Sequence, residues 1–173
     1  PLSENEITTA MLVLPNTEID KTLVFVTKFG NVRRNKVLDF LNIKANGKRA
    51  MKLDNNDKLI EVLLGSNSSD IMLSTSKGKC VRFGIDDVRI FSGRTSMGVR
   101  GIRLSSSEDY VIGMLVVKRE GTILVATKKG FGKRTDIIQY RTQTRGGKGV
   151  LTMRCTEKTG KMVKIMEVVD SDD

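Results

Sequence analysis

The sequence has no histidine and no tryptophan, only two prolines and two cysteines, and 5% aromatic residues in a chain of 173. Without histidine it lacks the commonest general base and the commonest zinc ligand. Cys80 and Cys155 stand 75 positions apart and belong to no metal-spaced cluster. They read as small buried hydrophobes of a reducing compartment rather than as a disulfide. Apolar runs such as Met11 to Leu14 fall far short of the roughly 18 residues of a membrane span, and no signal peptide is visible. No membrane partner is therefore expected.

The shortage of aromatics removes the stacking platforms on which single-strand and RNA binders rely. Phe25, Phe29 and Phe83 sit at strand or turn positions, where packing is the expected role. No helix-turn-helix or zinc-finger pattern offers base-edge readout. Phosphate-loop, nucleophile-elbow and metal-site motifs are also missing. Tyr110 and Tyr140 adjoin apolar runs and read as packing residues, so no catalytic residue is expected.

What is present is a repeat. Gly47, Gly98 and Gly149 are 51 residues apart both times. Met51, Ile102 and Met153 follow each glycine by four positions, and the basic column Lys52, Arg103 and Arg154 comes next. Earlier in each unit an apolar run leads to a glycine turn, which aligns Thr27, Thr75 and Thr127, then Arg34, Arg82 and Arg134. Strand-like runs open at Ile7, Leu59, Val111 and Met162, spaced 52, 52 and 51 residues. The period divides the chain into units at about 7–58, 59–110 and 111–161, with 162–173 the start of another. Each unit reads as β: β-branched runs, a Lys/Phe-Gly turn and a basic strand, with no sustained helical period. Units of this size predict an all-β, propeller-like array of three consecutive blades within a longer one.

At 39% hydrophobic and 29% charged the chain is globular in composition, and its net charge is +10. The charge is segregated. The windows 28–52, 77–103 and 128–154 together hold 23 basic and 4 acidic residues, against 7 and 16 in the remainder. Recurrence in every unit predicts one basic stripe along a rim, suited to a duplex backbone with a charge about every 1.7 Å of axis. A protein-binding propeller of kelch type has a fitting period but does not account for the recurring windows.

Gly130-Phe-Gly-Lys-Arg-Thr135, Gly98-Val-Arg-Gly-Ile-Arg-Leu104 and Arg145-Gly-Gly-Lys-Gly-Val150 resemble the C-terminal domain of the bacterial DNA gyrase A subunit. The paralogous C-terminal domain of the topoisomerase IV A subunit is similar. The gyrase resemblance implies a six-bladed β-pinwheel whose basic rim wraps double-stranded DNA in support of negative supercoiling. It implies cleavage chemistry elsewhere in the gyrase A subunit, ATP and magnesium used elsewhere in the holoenzyme, and no cofactor in this domain. The implied partners are duplex DNA, the remainder of the gyrase A subunit and the gyrase B subunit, in the bacterial cytoplasm at the nucleoid. The family's hallmark heptapeptide is Gln-Arg-Arg-Gly-Gly-Lys-Gly. Gln143, Thr144, Arg145, Gly146, Gly147, Lys148 and Gly149 match six of its seven positions and form a box-like copy in a setting typical of a later blade. Its glycines would let backbone amides approach phosphates; the alternative is a tight turn with incidental charge. The expected DNA contacts are Arg33, Arg34, Lys48 and Arg49 in the first unit. In the second they are Lys79, Arg82, Arg94 and Arg100, and in the third Lys133, Arg134, Arg145 and Lys148.

Overall fold

A computed structural model describes residues 4, 6–14, 20–117 and 121–172. Three hairpins form its frame. Their first strands, β1 (Thr22–Thr27), β4 (Asp70–Thr75) and β8 (Thr122–Thr127), are runs of aliphatic and β-branched residues. Their partners, β2 (Asn31–Lys36), β5 (Lys79–Gly84) and β9 (Gly132–Asp136), carry the arginine column. At each turn the amide of Gly30, Gly78 or Gly130 donates to the carbonyl of Thr27, Thr75 or Thr127, in every case at 3.0 Å. Gly78 is required twice over. Its φ is 87°, and a Cβ there would lie 1.9 Å from the carbonyl oxygen of Met153.

A third strand returns antiparallel to the first of each hairpin: β3 (Leu59–Gly65) on β1, β7 (Val111–Val117) on β4, and β11 (Met162–Val168) on β8. A register shift recurs on this pairing at Val26/Thr27, Ser74/Thr75 and Met162/Lys164, where it deepens the local twist. Two-residue strands complete the first two sheets. β6 (Val99–Arg100) pairs with β2, and β10 (Val150–Leu151) pairs with β5. The sheet orders are β3-β1-β2-β6, β7-β4-β5-β10 and, among the described residues, β11-β8-β9. The fourth strand of each four-stranded sheet therefore arrives from beyond the third, out of the next hairpin's sheet. One-turn 3-10 helices at Val37–Phe40, Ile85–Asp87 and Ile137–Gln139 follow the hairpins. No described helix is long and apolar enough to cross a membrane.

The hydrophobic core lies between neighbouring sheets. Val24, Val26 and Val32 of the first meet Ile71, Leu73, Val81 and Phe83 of the second. Met72 and Cys80, on the opposite face of the second, meet Ile123, Val125 and Met162 of the third. Alternation of side chains along one strand lets the central sheet serve both cores. Each such side chain contributes about 1.5–3 kcal/mol on burial. Both cysteines are free, and burial pushes the Cys80 thiol up to about 12.

One sequence expectation is corrected. The repeat predicts that Ile7 to Leu14 forms a strand equivalent to β3, β7 and β11, yet no strand forms there and Ile7, Met11 and Val13 are exposed. Its counterparts each pair with an earlier hairpin. Among the described residues no hairpin precedes this segment, and within it only Leu12 and Leu14 pack, on the cluster around Leu23, Phe25, Val37 and Met51.

Candidate nucleic-acid interface

The basic residues on and around the hairpins fall into two populations, distinguished by where their nitrogens go. Arg34, on β2, is buried. Its Nε donates to Thr22 Oγ1 at 3.0 Å, and its Nη1 donates to the carbonyls of Ile85 (3.0 Å) and Val88 (3.3 Å), at the two ends of the next 3-10 turn. Its Nη2 donates to Asn67 Oδ1. Arg82, on β5, repeats the arrangement: Nε to Asp70 Oδ2 at 2.7 Å, and Nη1 to the carbonyls of Ile137 (3.2 Å) and Tyr140 (3.3 Å). Arg134, on β9, has the same inner bond, Nε to Thr122 Oγ1 at 2.9 Å. Its Nη2 donates instead to the exposed Asp170 at 2.8 Å.

Arg33 is fully buried as well. Its Nε donates to Asn35 Oδ1 at 2.8 Å, its Nη1 donates to the carbonyl (2.6 Å) and hydroxyl (2.8 Å) of Ser96, and its guanidinium lies 4.7 Å from the Phe91 ring centre. Burial, then Arg94 and Arg89, lowers its pKa; burial lowers that of Arg34, against the opposing pull of Asp86. Guanidinium stays charged under these shifts, so both are interior cations held by carbonyls and hydroxyls. The expectation that Arg33 and Arg34 lie on an open rim is corrected accordingly. β2 runs between β1 and the incoming β6; Arg33 is drawn to Ser96 just before β6, and Arg34 to the 3-10 turn that follows β5.

The second population faces solvent. Arg49, Arg100, Lys133 and Lys148 are exposed, as is Arg134 of the first set; Lys48, Lys79, Arg94 and Arg145 are half-buried, as is Arg82 of the first set. Lys48 is tied by its ammonium to the carbonyls of Asp39 (2.6 Å) and Asn42 (3.3 Å). The column Lys52, Arg103 and Arg154 is exposed at all three positions and extends the set beyond the residues expected. Its signal was the 51-residue period itself, which places a cation at the same point of every unit.

The box-like loop lies across the preceding unit. Gln143 N donates to the Arg82 carbonyl at 2.8 Å, Gly146 N to the Gly101 carbonyl at 2.6 Å, and Arg103 N to the Gly147 carbonyl at 2.8 Å. Arg145 donates from Nε to the Asp87 carbonyl (2.8 Å) and from Nη1 to the Arg100 carbonyl (3.2 Å). A Cβ on Gly149 would lie 2.4 Å from the Cys80 carbonyl oxygen. The glycines thus permit close approach of backbone to backbone, and the Gly146 amide is used inside the protein. Thr144 and Lys148 remain exposed. One unit earlier, Lys52 N donates to the Ser96 carbonyl at 3.3 Å, so the loops overlap in sequence like shingles.

Such a surface can attract a polyanion. Among the described residues no group of three or more His, Cys, Asp or Glu side chains is arranged to hold a metal.

Comparison with known proteins agrees with the fold. A family described as the DNA gyrase C-terminal domain, β-propeller, matches residues 21–65, 69–118 and 121–168. The DNA gyrase A subunit of Klebsiella oxytoca is 39% identical over 172 residues, covering 99% of this chain and 19% of that protein. Its Rickettsia conorii counterpart is 33% identical over 224 residues, covering 100% of this chain and 25% of that protein. The chain spans 19–25% of the length of these curated relatives. A solved gyrase A C-terminal domain superposes with a TM-score of 0.79 at 25% identity, over 88% of this chain and 50% of that one. The C-terminal domain of a DNA topoisomerase IV shares the fold, with a TM-score of 0.89 at 22% identity over 99% of this chain and 53% of that one. With three consecutive matches that follow the three sheets, the chain belongs to the DNA gyrase C-terminal domain family of β-propellers.

Proposed function

We propose that this chain is the DNA-binding and DNA-wrapping portion of a gyrase A subunit, taking duplex DNA along the exposed cations of successive units. The reading carries with it the remainder of that polypeptide, the gyrase B subunit, ATP and magnesium as features of the larger enzyme, and catalytic residues outside this chain. The observation that carries it is the recurrence of exposed cations at one place in each unit: Lys52, Arg103 and Arg154, joined by Arg49 and Arg100. A rim that repeats every 51 residues meets a backbone that repeats every few ångströms through phosphate contacts, without base readout.

The test is the salt dependence of duplex affinity. The slope of log affinity against log salt falls by about 0.9 for each phosphate no longer neutralised. The variant Lys52→Gln/Arg100→Gln/Arg154→Gln is expected to lose about 3 from that slope, while Lys58→Gln/Lys161→Gln leaves it unchanged. Equal losses in the two variants would refute the rim.

A further inference from the structure

Beside the box-like loop, Lys79 at the start of β5, Arg103 after β6 and Lys148 in the loop line a crevice of about 190 Å³ with Leu104 and Ser105. No carboxylate lines it. None of the three cationic groups makes a hydrogen bond or ion pair with any described residue. The nearest acid in sequence with a bond to the lining, Asp109, is engaged: its Oδ2 accepts from Ser105 N at 3.1 Å and Ser105 Oγ at 2.5 Å.

Main-chain bonds hold the three positions together. Arg103 N donates to the Gly147 carbonyl at 2.8 Å, next to Lys148, and Leu151 pairs with Lys79 in the β10–β5 ladder. Three cations are thus gathered from three elements around one small volume with no counter-charge. Mutual repulsion there is relieved by an anion with several acceptor oxygens. The preceding unit boundary lacks the set. The repeat places Met97 where Lys148 stands, Lys52 for Arg103, and Asn31 for Lys79, each of the last pair following its turn glycine directly.

We propose that this crevice seats one phosphodiester phosphate of duplex DNA, held jointly by Lys79, Arg103 and Lys148. The proposal rests on the duplex-binding reading and adds a specific anchor to it. The box-like sequence then contributes through Lys148, while its glycines and Arg145 lay the loop against the preceding unit so that Lys148 reaches the other two cations.

Two measurements on the 173-residue chain test it. In an NMR titration with inorganic phosphate, the amides of Arg103, Ser105 and Gly147 shift saturably, and those of Lys128 and Lys129 do not. In duplex binding, Lys79→Gln/Arg103→Gln/Lys148→Gln reduces the salt slope by about 1, because three cations share one phosphate. A reduction of about 3 would mean three separate contacts and overturn the seat. An unchanged slope overturns it also, even if free phosphate binds. Arg103→Lys, with thermal unfolding to verify folding, restores most of the slope. Saturable phosphate binding without any duplex affinity would leave an anion seat and sink the duplex reading. Full duplex affinity with no phosphate-induced shift and no slope change does the reverse.

Discussion

Arg34 and Arg82 stand in the same relation to the sheet that follows each of them: one guanidinium nitrogen bridges the two carbonyls that begin and close the next 3-10 turn. Arg34 spans Ile85 and Val88, and Arg82 spans Ile137 and Tyr140. These two arginines therefore join blades, each tying its own sheet to the one that follows.

Removing the clamp is expected to be costly. Arg82→Met leaves the Ile137 and Tyr140 carbonyls without this donor and Asp70 without its ion pair. Hydrogen bonds to charged groups contribute about 1.5–3 kcal/mol, so a loss of about 3 kcal/mol is expected on urea unfolding. Arg134→Met removes an exposed pair with Asp170 and should cost no more than about 1 kcal/mol. Comparable losses in the two variants would contradict the clamp.

The turn glycines separate in the same way. At Gly78 a Cβ would meet the Met153 carbonyl at 1.9 Å; at Gly130, with φ of 81°, nothing lies within 4 Å. Gly130→Ala is expected to cost about 1–2 kcal/mol, for the left-handed backbone alone. Gly78→Ala adds displacement of the Met153–Cys155 segment and should lower the urea midpoint by at least twice as much. Circular dichroism during urea titration decides between them.

Asp109 gives a pH dependence. Burial alone would raise its carboxyl, but hydrogen bonds from Ser105, Lys77 and Ser76 hold it below the usual carboxylate range. A group depressed in the folded state stabilises fully above its unfolded value of about 3.9, and that stability is lost as pH falls through the folded value. Asp109→Asn should therefore destabilise by about 1–3 kcal/mol near neutrality. The gap to the wild type closes as pH drops below the carboxylate range. A gap that persists at acid pH would assign the effect to shape rather than charge.

The two thiols should differ in reactivity. Cys80 is buried between the second and third sheets and its thiol is pushed up to about 12, whereas Cys155 is half-buried. Iodoacetamide at mildly alkaline pH is expected to label Cys155 alone in the folded chain, and both after denaturation, as read by mass spectrometry.

The blades, their hairpins and the turn glycines were legible in the sequence because they recur. Period and apolar runs locate β1, β4 and β8 before any contact is known. The roles of the arginines were not legible. Arg33, Arg34, Arg49 and Arg100 all read as rim charge. Burial of Arg33 depends on where the segment before β6 enters, and that of Arg34 on the 3-10 turn after β5, contacts between residues more than 50 positions apart. Likewise the glycines of the box-like loop signal close approach, and sequence does not say to what. In the structure Gly149 meets the Cys80 carbonyl, and the Gly146 amide meets Gly101. The crevice cations Lys79 and Lys148 were expected contacts, but their convergence with Arg103 arises only when three elements come together.

The placement of β6 and β10 also governs how the molecule can be taken apart. Each belongs to one sheet by hydrogen bonding and to the following hairpin by covalent connection. A single proteolytic cut in the loop before Val99 or before Val150 would therefore not release a self-contained piece. The two products would still share a sheet and should co-elute until denatured. Like interleaved pages, the blades have no clean line of separation, so force applied along the array must unzip a ladder before neighbouring blades come away from each other.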